Sequence, residues 1–242
     1  MARVDFSQSE QASETINQWI GEQTENKITE LNSADALSPQ MRLVLPNAVY
    51  FQGSWAEPFQ QQRTRQESFH LGQVESIEVS MMQRSGGFRY GEATGLQILE
   101  LPYGNGSLSM LVFLPRQVDG VSALEDQLTV EKLQRWRSCL RYQEEVQVAL
   151  PKFKSNAQFE ISTTLRTMGI ESAFDADAAD FSGISDRRDV FLAAVLHRAR
   201  VEVDKTGTEA AAATGISWAA AIDPGEEPQA PPVFRADHPF FL

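Results

Sequence analysis

The 242 residues are 42% apolar and 22% charged, ordinary for a chain that buries a core, and long enough for one large domain or two small ones. A formal net charge of −12 argues against a nucleic-acid partner, because neutralising phosphates takes a surplus of Lys and Arg. Cys139 is the only cysteine and His70, His197 and His238 show no ligand spacing, so no internal disulfide, metal site or cofactor is expected; no apolar run is long enough to span a membrane either.

The opening residues, MARVDFSQSE, lack the basic-then-apolar layout of a signal peptide. From Phe6 the spacing predicts a helix, with Ser7 and Glu10 at capping-box separation and Ala12, Ile16, Trp19 and Ile20 on one face. MRLVLPNAVYFQGSW is apolar at both alternating sets of positions, which predicts a strand buried on both faces; Pro46 argues against that, since it removes a ladder donor. Four strands follow, in SIEVSMMQ, GFRYGEA, LQILELPY and LSMLVFLP, and Asn105-Gly106 marks a hairpin. A helical stretch around VSALEDQLTVEKLQRW precedes an alternating strand, EEVQVALPKF. ISTTLRTMGI reads as a helix ending near Gly169, and VFLAAVLHRARVEV as the last strand. The content is mixed α and β with several antiparallel strands, without regular βαβ alternation.

Catalysis has little support. Asp237-His238 suggests part of a triad, but no nucleophile motif such as GxSxG accompanies it. Asp175, Asp177 and Asp180 fail the spacing of a calcium loop and read as a solvated acidic turn. His197 and Asn47, each in an apolar strand, are expected to be buried polar groups in need of partners, and could satisfy one another across a sheet. Asn105-Gly106-Ser107 fits the N-glycosylation pattern but falls in a tight turn. Beyond the last strand lies KTGTEAAAATGISWAAAIDPGEEPQAPP, with neither helical nor strand period. Its Ala run could be a short helix or a linker; alternatively, Thr208, Ala210, Ala212 and Thr214 are small enough to slip between packed strands.

In order along the chain, INQWIGEQTENKI, LPNAVYFQGSWAEPF, VSMMQRSGGFRYGE, QILELPYGNGSLSMLVFLP, VALPKF, ADFSGIS, VLHRARVEVDKTGTEAAAAT and FRADHPFFL resemble the motifs of serpins, the serine protease inhibitors. The resemblance implies an α+β fold over 1–242, with a large central β-sheet, two further antiparallel sheets, flanking helices and an exposed reactive-centre loop at about 205–233. It implies a non-enzymatic suicide inhibitor: a protease acylates itself on the loop, and the cleaved loop then inserts as a new strand and traps it. The hinge would comprise Gly207, Thr208, Glu209, Ala210, Ala211, Ala212, Ala213 and Thr214, free of Pro and of bulk. The usual hinge length puts the reactive bond at Ala221-Ile222, give or take a residue or two. Ala at that bond suits elastase- or subtilisin-like serine proteases, and no Lys or Arg lies between Thr206 and Phe234 to suit a trypsin-like one. Asn47, His197 and Trp55 match residues that control sheet opening. The family leaves non-inhibitory binding proteins as the alternative, and slightly favours an extracellular address.

Three departures stand out. Against the family, the N-terminal helical third and the last C-terminal strands are missing, which would expose an apolar sheet face and invite self-association at sheet edges. That also leaves an inactive fragment as an alternative function. Lys205 stands where the family usually has Glu, a residue that commonly pairs with a lysine matching Lys152, so two lysines are expected to face each other. Pro46 lies in a strand beside the insertion slot.

Overall fold

The computed structural model describes residues 3–31, 34–51, 53–185, 189–205 and 230–242. In chain order the main elements are α1 (Ser9–Gln23), β1 (Leu43–Tyr50), β2 (Arg65–His70), β3 (Ser76–Ala93), β4 (Leu96–Tyr103), β5 (Leu108–Pro115), α2 (Val121–Glu125), α3 (Val130–Ser138), β6 (Arg141–Pro151), β7 (Phe153–Glu160), α4 (Ser162–Thr167), β8 (Leu192–Val203) and β9 (Val233–Arg235). They divide into two compact units, Met1–Phe51 with Lys154–Val201, and Gln52–Phe153 with Glu202–Leu242. Among the described residues no helix is long and apolar enough to cross a membrane.

The first unit is built on a three-stranded sheet in the order β1-β8-β7, with β1 and β8 parallel. Helix α1 buries Ala12, Ile16 and Ile20, which join Ile28, Leu31 and Leu37 and pack on Val44, Ala48 and Tyr50 of β1. Trp19 does not share that face: it is 44% exposed. Nor does the expected capping box form. The helix starts at Ser9, and Ser7 instead donates its N–H and hydroxyl to Asp5. The turn after α1 is closed by buried Thr24, whose hydroxyl donates to the Ile20 carbonyl (2.8 Å) and accepts from the Ile28 N–H (3.1 Å). On the other face of the sheet, Val195 and Leu192 pack with Phe174, Leu165 and Ile161. Buried Ser162 ties this corner together: its N–H and hydroxyl donate to Glu160 at the end of β7, and its oxygen accepts from the Val195 N–H of β8 (3.1 Å).

Strand β1 corrects the expectation of two-sided burial. Leu45 and Val49 are 51% and 48% exposed, and Asn47 between them is exposed as well. Pro46 fits without conflict, because β1 is an edge strand of the described sheet, where a missing donor is tolerated.

The second unit holds a six-stranded sheet, β5-β4-β3-β6-β9 with β2 also paired to β3. The two segments read as separate strands in the sequence are one 18-residue strand, β3, kinked by a register shift between Gly86 and Phe88. The single helical stretch expected after β5 is two helices, α2 and α3; Thr129 caps the second, accepting from the Lys132 N–H at 3.2 Å. Leu96, Ile98 and Phe113 of the sheet pack on Leu124 of α2 and Trp136 of α3. At Gly91 the backbone of β3 comes so close to Cys139 that a Cβ there would lie 2.7 Å from its carbonyl oxygen.

Candidate functional site

The predicted reactive bond, Ala221-Ile222, and the whole predicted hinge, Gly207 to Thr214, lie outside the described residues. What the structure describes is how the chain is held on each side of 206–229.

On the leading side the anchor is Trp55. Its indole is 4% exposed, stacks on Tyr103 (ring centroids 4.5 Å apart, 13° between planes) and meets Phe59 edge-on at 6.5 Å. The ring N–H donates to the carbonyl of Asp204 (2.9 Å), and the Phe59 N–H donates to the next carbonyl, that of Lys205 (2.8 Å). The last two residues before 206 are thus fixed through their backbones, whatever their side chains. The β4–β5 hairpin supports the anchor from behind, as Gly104 N–H donates to Ser54 O (2.7 Å) and Ala56 N–H to Pro102 O (2.9 Å). Burial pushes the Tyr103 phenol up to about 12, as expected for a ring enclosed under an indole.

Lys205 gives its ammonium to the side-chain oxygen of Gln61 (2.5 Å), a partner the sequence did not suggest. Lys152 is exposed, and its backbone N–H donates to Ser80 O (2.8 Å).

On the returning side, Gln147 N–H donates to Pro232 O (2.9 Å) and β9 runs parallel to β6, Val233 opposite Gln147 and Arg235 opposite Ala149. Gln97 adds a side-chain bond to the Val233 carbonyl (2.9 Å). The same Gln97 amide donates to Tyr90 (2.8 Å), whose hydroxyl donates to Glu92, which is paired with Arg116. Burial, reinforced by the Glu92 carboxylate, pushes Tyr90 up to about 12; the Tyr90 hydroxyl in turn holds Glu92 below the ordinary carboxylate range. Arg235 bridges Glu67 and Asp237. His238 is buried between the Asp237 carboxylate (Nδ1, 2.8 Å) and the Pro115 carbonyl (Nε2, 2.6 Å). Both ring nitrogens are engaged, which makes this pair a brace for the segment after β9.

Asn47 and His197 are opposite one another in the β1–β8 register. In a parallel pair such partners share a face, here the one opposite α1. The structure therefore places the two side by side, but it corrects the expected burial: Asn47 is exposed and His197 half-buried. Among the described residues no cluster of His, Cys, Asp and Glu could hold a metal ion.

A family model for serpins (serine protease inhibitors) matches residues 1–242. The chain belongs to the serpin family. It is 39% identical over 251 aligned residues to leukocyte elastase inhibitor A of Rattus norvegicus, an alignment covering 100% of this chain and 65% of that protein. Serpin B6 of Pongo abelii is 41% identical, with 100% and 64% covered. Among solved structures, uncleaved ovalbumin superposes with a TM-score of 0.83 at 31% identity, covering 98% of this chain and 59% of that one. Serpin48 of the insect Tenebrio molitor gives 0.80 at 34%, covering 98% and 62%. The chain thus spans about 65% of the length of the curated relatives it matches, and it shares their α+β fold.

Proposed function

We propose that this serpin inhibits serine proteases of elastase- or subtilisin-like specificity by a suicide mechanism, presenting 206–229 as bait with the reactive bond at Ala221-Ile222. The observation that carries the reading is the pair of anchors. Backbone bonds to Asp204 and Lys205 on one side, and to Pro232 and Val233 on the other, hold the chain at both ends of a segment whose first part is small and Pro-free. Held at both ends, such a segment offers a protease its backbone, and the small hinge can afterwards run between strands. The name of the rat relative, an elastase inhibitor, agrees with Ala at the bond. In this reading Asn47, His197, Trp55, Lys152 and Lys205 govern the opening of the sheet that admits the hinge.

A second reading is favoured by one observation: Leu45 and Val49 are exposed on β1, which is the outer strand of its sheet among the described residues. An apolar strand at the edge of a sheet can pair with another chain, which would make the chain a self-associating or strand-binding serpin without inhibitory activity.

Mixing the chain with elastase, subtilisin and trypsin separately, followed by denaturing gels and intact mass spectrometry, tests the two. An adduct stable to denaturation with elastase or subtilisin, and cleavage beside Ala221, supports inhibition. Clean cleavage of the loop without an adduct rejects it for this chain.

A further inference from the structure

Asn105-Gly106-Ser107 is the only Asn-X-Ser/Thr triplet in the sequence, and its middle residue is not Pro. It forms the tip of the β4–β5 hairpin, where residues 104–108 are all exposed. Gly104 (φ 46°) and Gly106 (φ 83°) supply the left-handed conformations the turn requires, and a Cβ built on either would meet nothing within 4 Å. The tip is therefore exposed, while its base is tied to Ser54 through the Gly104 N–H. Within it, Asn105 Oδ1 accepts from both the Ser107 N–H (3.1 Å) and the Ser107 hydroxyl (2.7 Å). Both bonds are made by the oxygen, so the carboxamide nitrogen is turned away from them, and the hydroxyl polarises the carbonyl it touches.

We propose that Asn105 is an acceptor for N-linked glycosylation, with a lipid-pyrophosphate-linked oligosaccharide as the co-substrate. The step is a group transfer. Asn105 Nδ2 attacks the anomeric carbon of the donor sugar, an N–C bond forms, and the C–O bond to the pyrophosphate breaks. The lipid pyrophosphate leaves with the electron pair, and one amide proton passes to a base of the transferase. A sugar attached here would project from an exposed turn. It does stand two residues from Tyr103, the ring stacked beneath Trp55, and so beside the leading anchor of the loop.

The experiment is translation of the full chain, behind a cleavable signal peptide, in the presence of endoplasmic-reticulum microsomes; the readout does not depend on folding. Translocated chains, recognised by signal-peptide removal, are expected to gain the mass of a single glycan that peptide N-glycosidase removes. Asn105→Gln and Ser107→Ala should abolish the gain, and Ser107→Thr should preserve it. Deglycosylation in ¹⁸O water should leave a labelled Asp at 105, with an enzyme-free control separating this from spontaneous deamidation of the Asn-Gly bond. Translocated parent chain of unmodified mass, or a glycan that survives Asn105→Gln, overturns the proposal.

Discussion

Replacing Trp55 separates what the indole contributes as a packed ring from what it contributes as a donor. Trp55→Ala removes a fully packed aromatic side chain together with its stack on Tyr103 and its bond to Asp204 O. Large-to-small changes of this kind cost about 3–5 kcal/mol, of which an aromatic stack accounts for roughly 0.5–1.5 kcal/mol. Trp55→Phe keeps most of the ring area and deletes the N–H, a change worth about 1–3 kcal/mol where an acceptor loses a buried donor. The effect should be local to the unit containing the anchor. Hydrogen exchange reads it at three amides bonded around the ring, those of Ala56, Phe59 and Gly104. At about 1.4 kcal/mol per tenfold, Trp55→Phe should speed exchange there roughly tenfold and Trp55→Ala by more than a hundredfold. Proteolysis within 206–229 should accelerate in the same order. If Trp55→Phe leaves all three amides at parental rates, the bond to Asp204 O does not hold the leading side of the loop, and the anchor reduces to packing.

Three further changes test other parts. Gly91→Ala pushes a Cβ against the Cys139 carbonyl, backbone that cannot swing away, and is expected to cost about 1–3 kcal/mol by overpacking, read as a lower urea midpoint; an unchanged midpoint would mean α3 moves freely on the sheet. Tyr90 and Tyr103 are pushed up to about 12 from 10.0. The fold therefore favours their neutral form: the stability this supplies is fully present below pH 10 and lost as pH rises from 10 towards 12. Urea unfolding at pH 9 and pH 11.5 should show the loss, and Tyr90→Phe should reduce the difference; a parent equally stable at both would contradict the burial of these rings. Lys205→Glu should raise the melting temperature modestly, within the roughly 0–1 kcal/mol of an exposed pair, because the Gln61 amide can turn its N–H₂ to the carboxylate and the family resemblance implies a pairing with the lysine matching Lys152. No gain would count against a pairing with Lys152.

Side-chain patterns made most of the strands and α1 legible. Two polar residues in apolar strands also suggested that Asn47 and His197 meet across a sheet, and they are register partners. Most of what was not legible has two physical origins. The anchors of the loop are backbone carbonyls, of Asp204, Lys205, Pro232 and Val233, and a carbonyl leaves no trace in residue type. Nothing about Gln61 or Gln97 marks them as partners of residues far along the chain. The other origin is coverage. Alternating apolar residues in β1 report that both faces suit burial, not that an element covers each, and in the described structure α1 covers only one. The same gap explains Asn47, whose place among apolar residues suggested burial. Ser7 and Glu10 failed for a local reason: Asp5 competes for the serine, and the helix starts two residues later.

The register of β1 and β8 also sets the energetics of the proposed inhibition. From Val44–Ala194 to Tyr50–Arg200 the two strands pair directly and in parallel. A hinge entering between them must open that ladder. Because the segment follows β8 and would turn back at its end, it would run antiparallel to both neighbours, so one parallel ladder is exchanged for two antiparallel ones, the slightly stronger kind per residue. Every second hinge side chain would face α1 and the rest the opposite side. Ala and Thr fit the packed side without displacing Val44 or Ala48, whereas a charged residue would be buried unpaired at a cost of several kcal/mol. While the loop is intact, its anchor at Pro232 and Val233 would oppose the movement; cutting at the proposed bond, Ala221-Ile222, would release the hinge. Cleavage is therefore expected to raise the melting temperature of the chain, and Ala212→Arg, at one of the alternating small positions expected to slip between the strands, to remove that rise while leaving cleavage itself unaffected. Scanning calorimetry before and after nicking decides it: a nicked parent that melts no higher than the intact chain would mean that no strand was added, and a nicked Ala212→Arg chain that gains as much as the parent would mean that the hinge goes elsewhere.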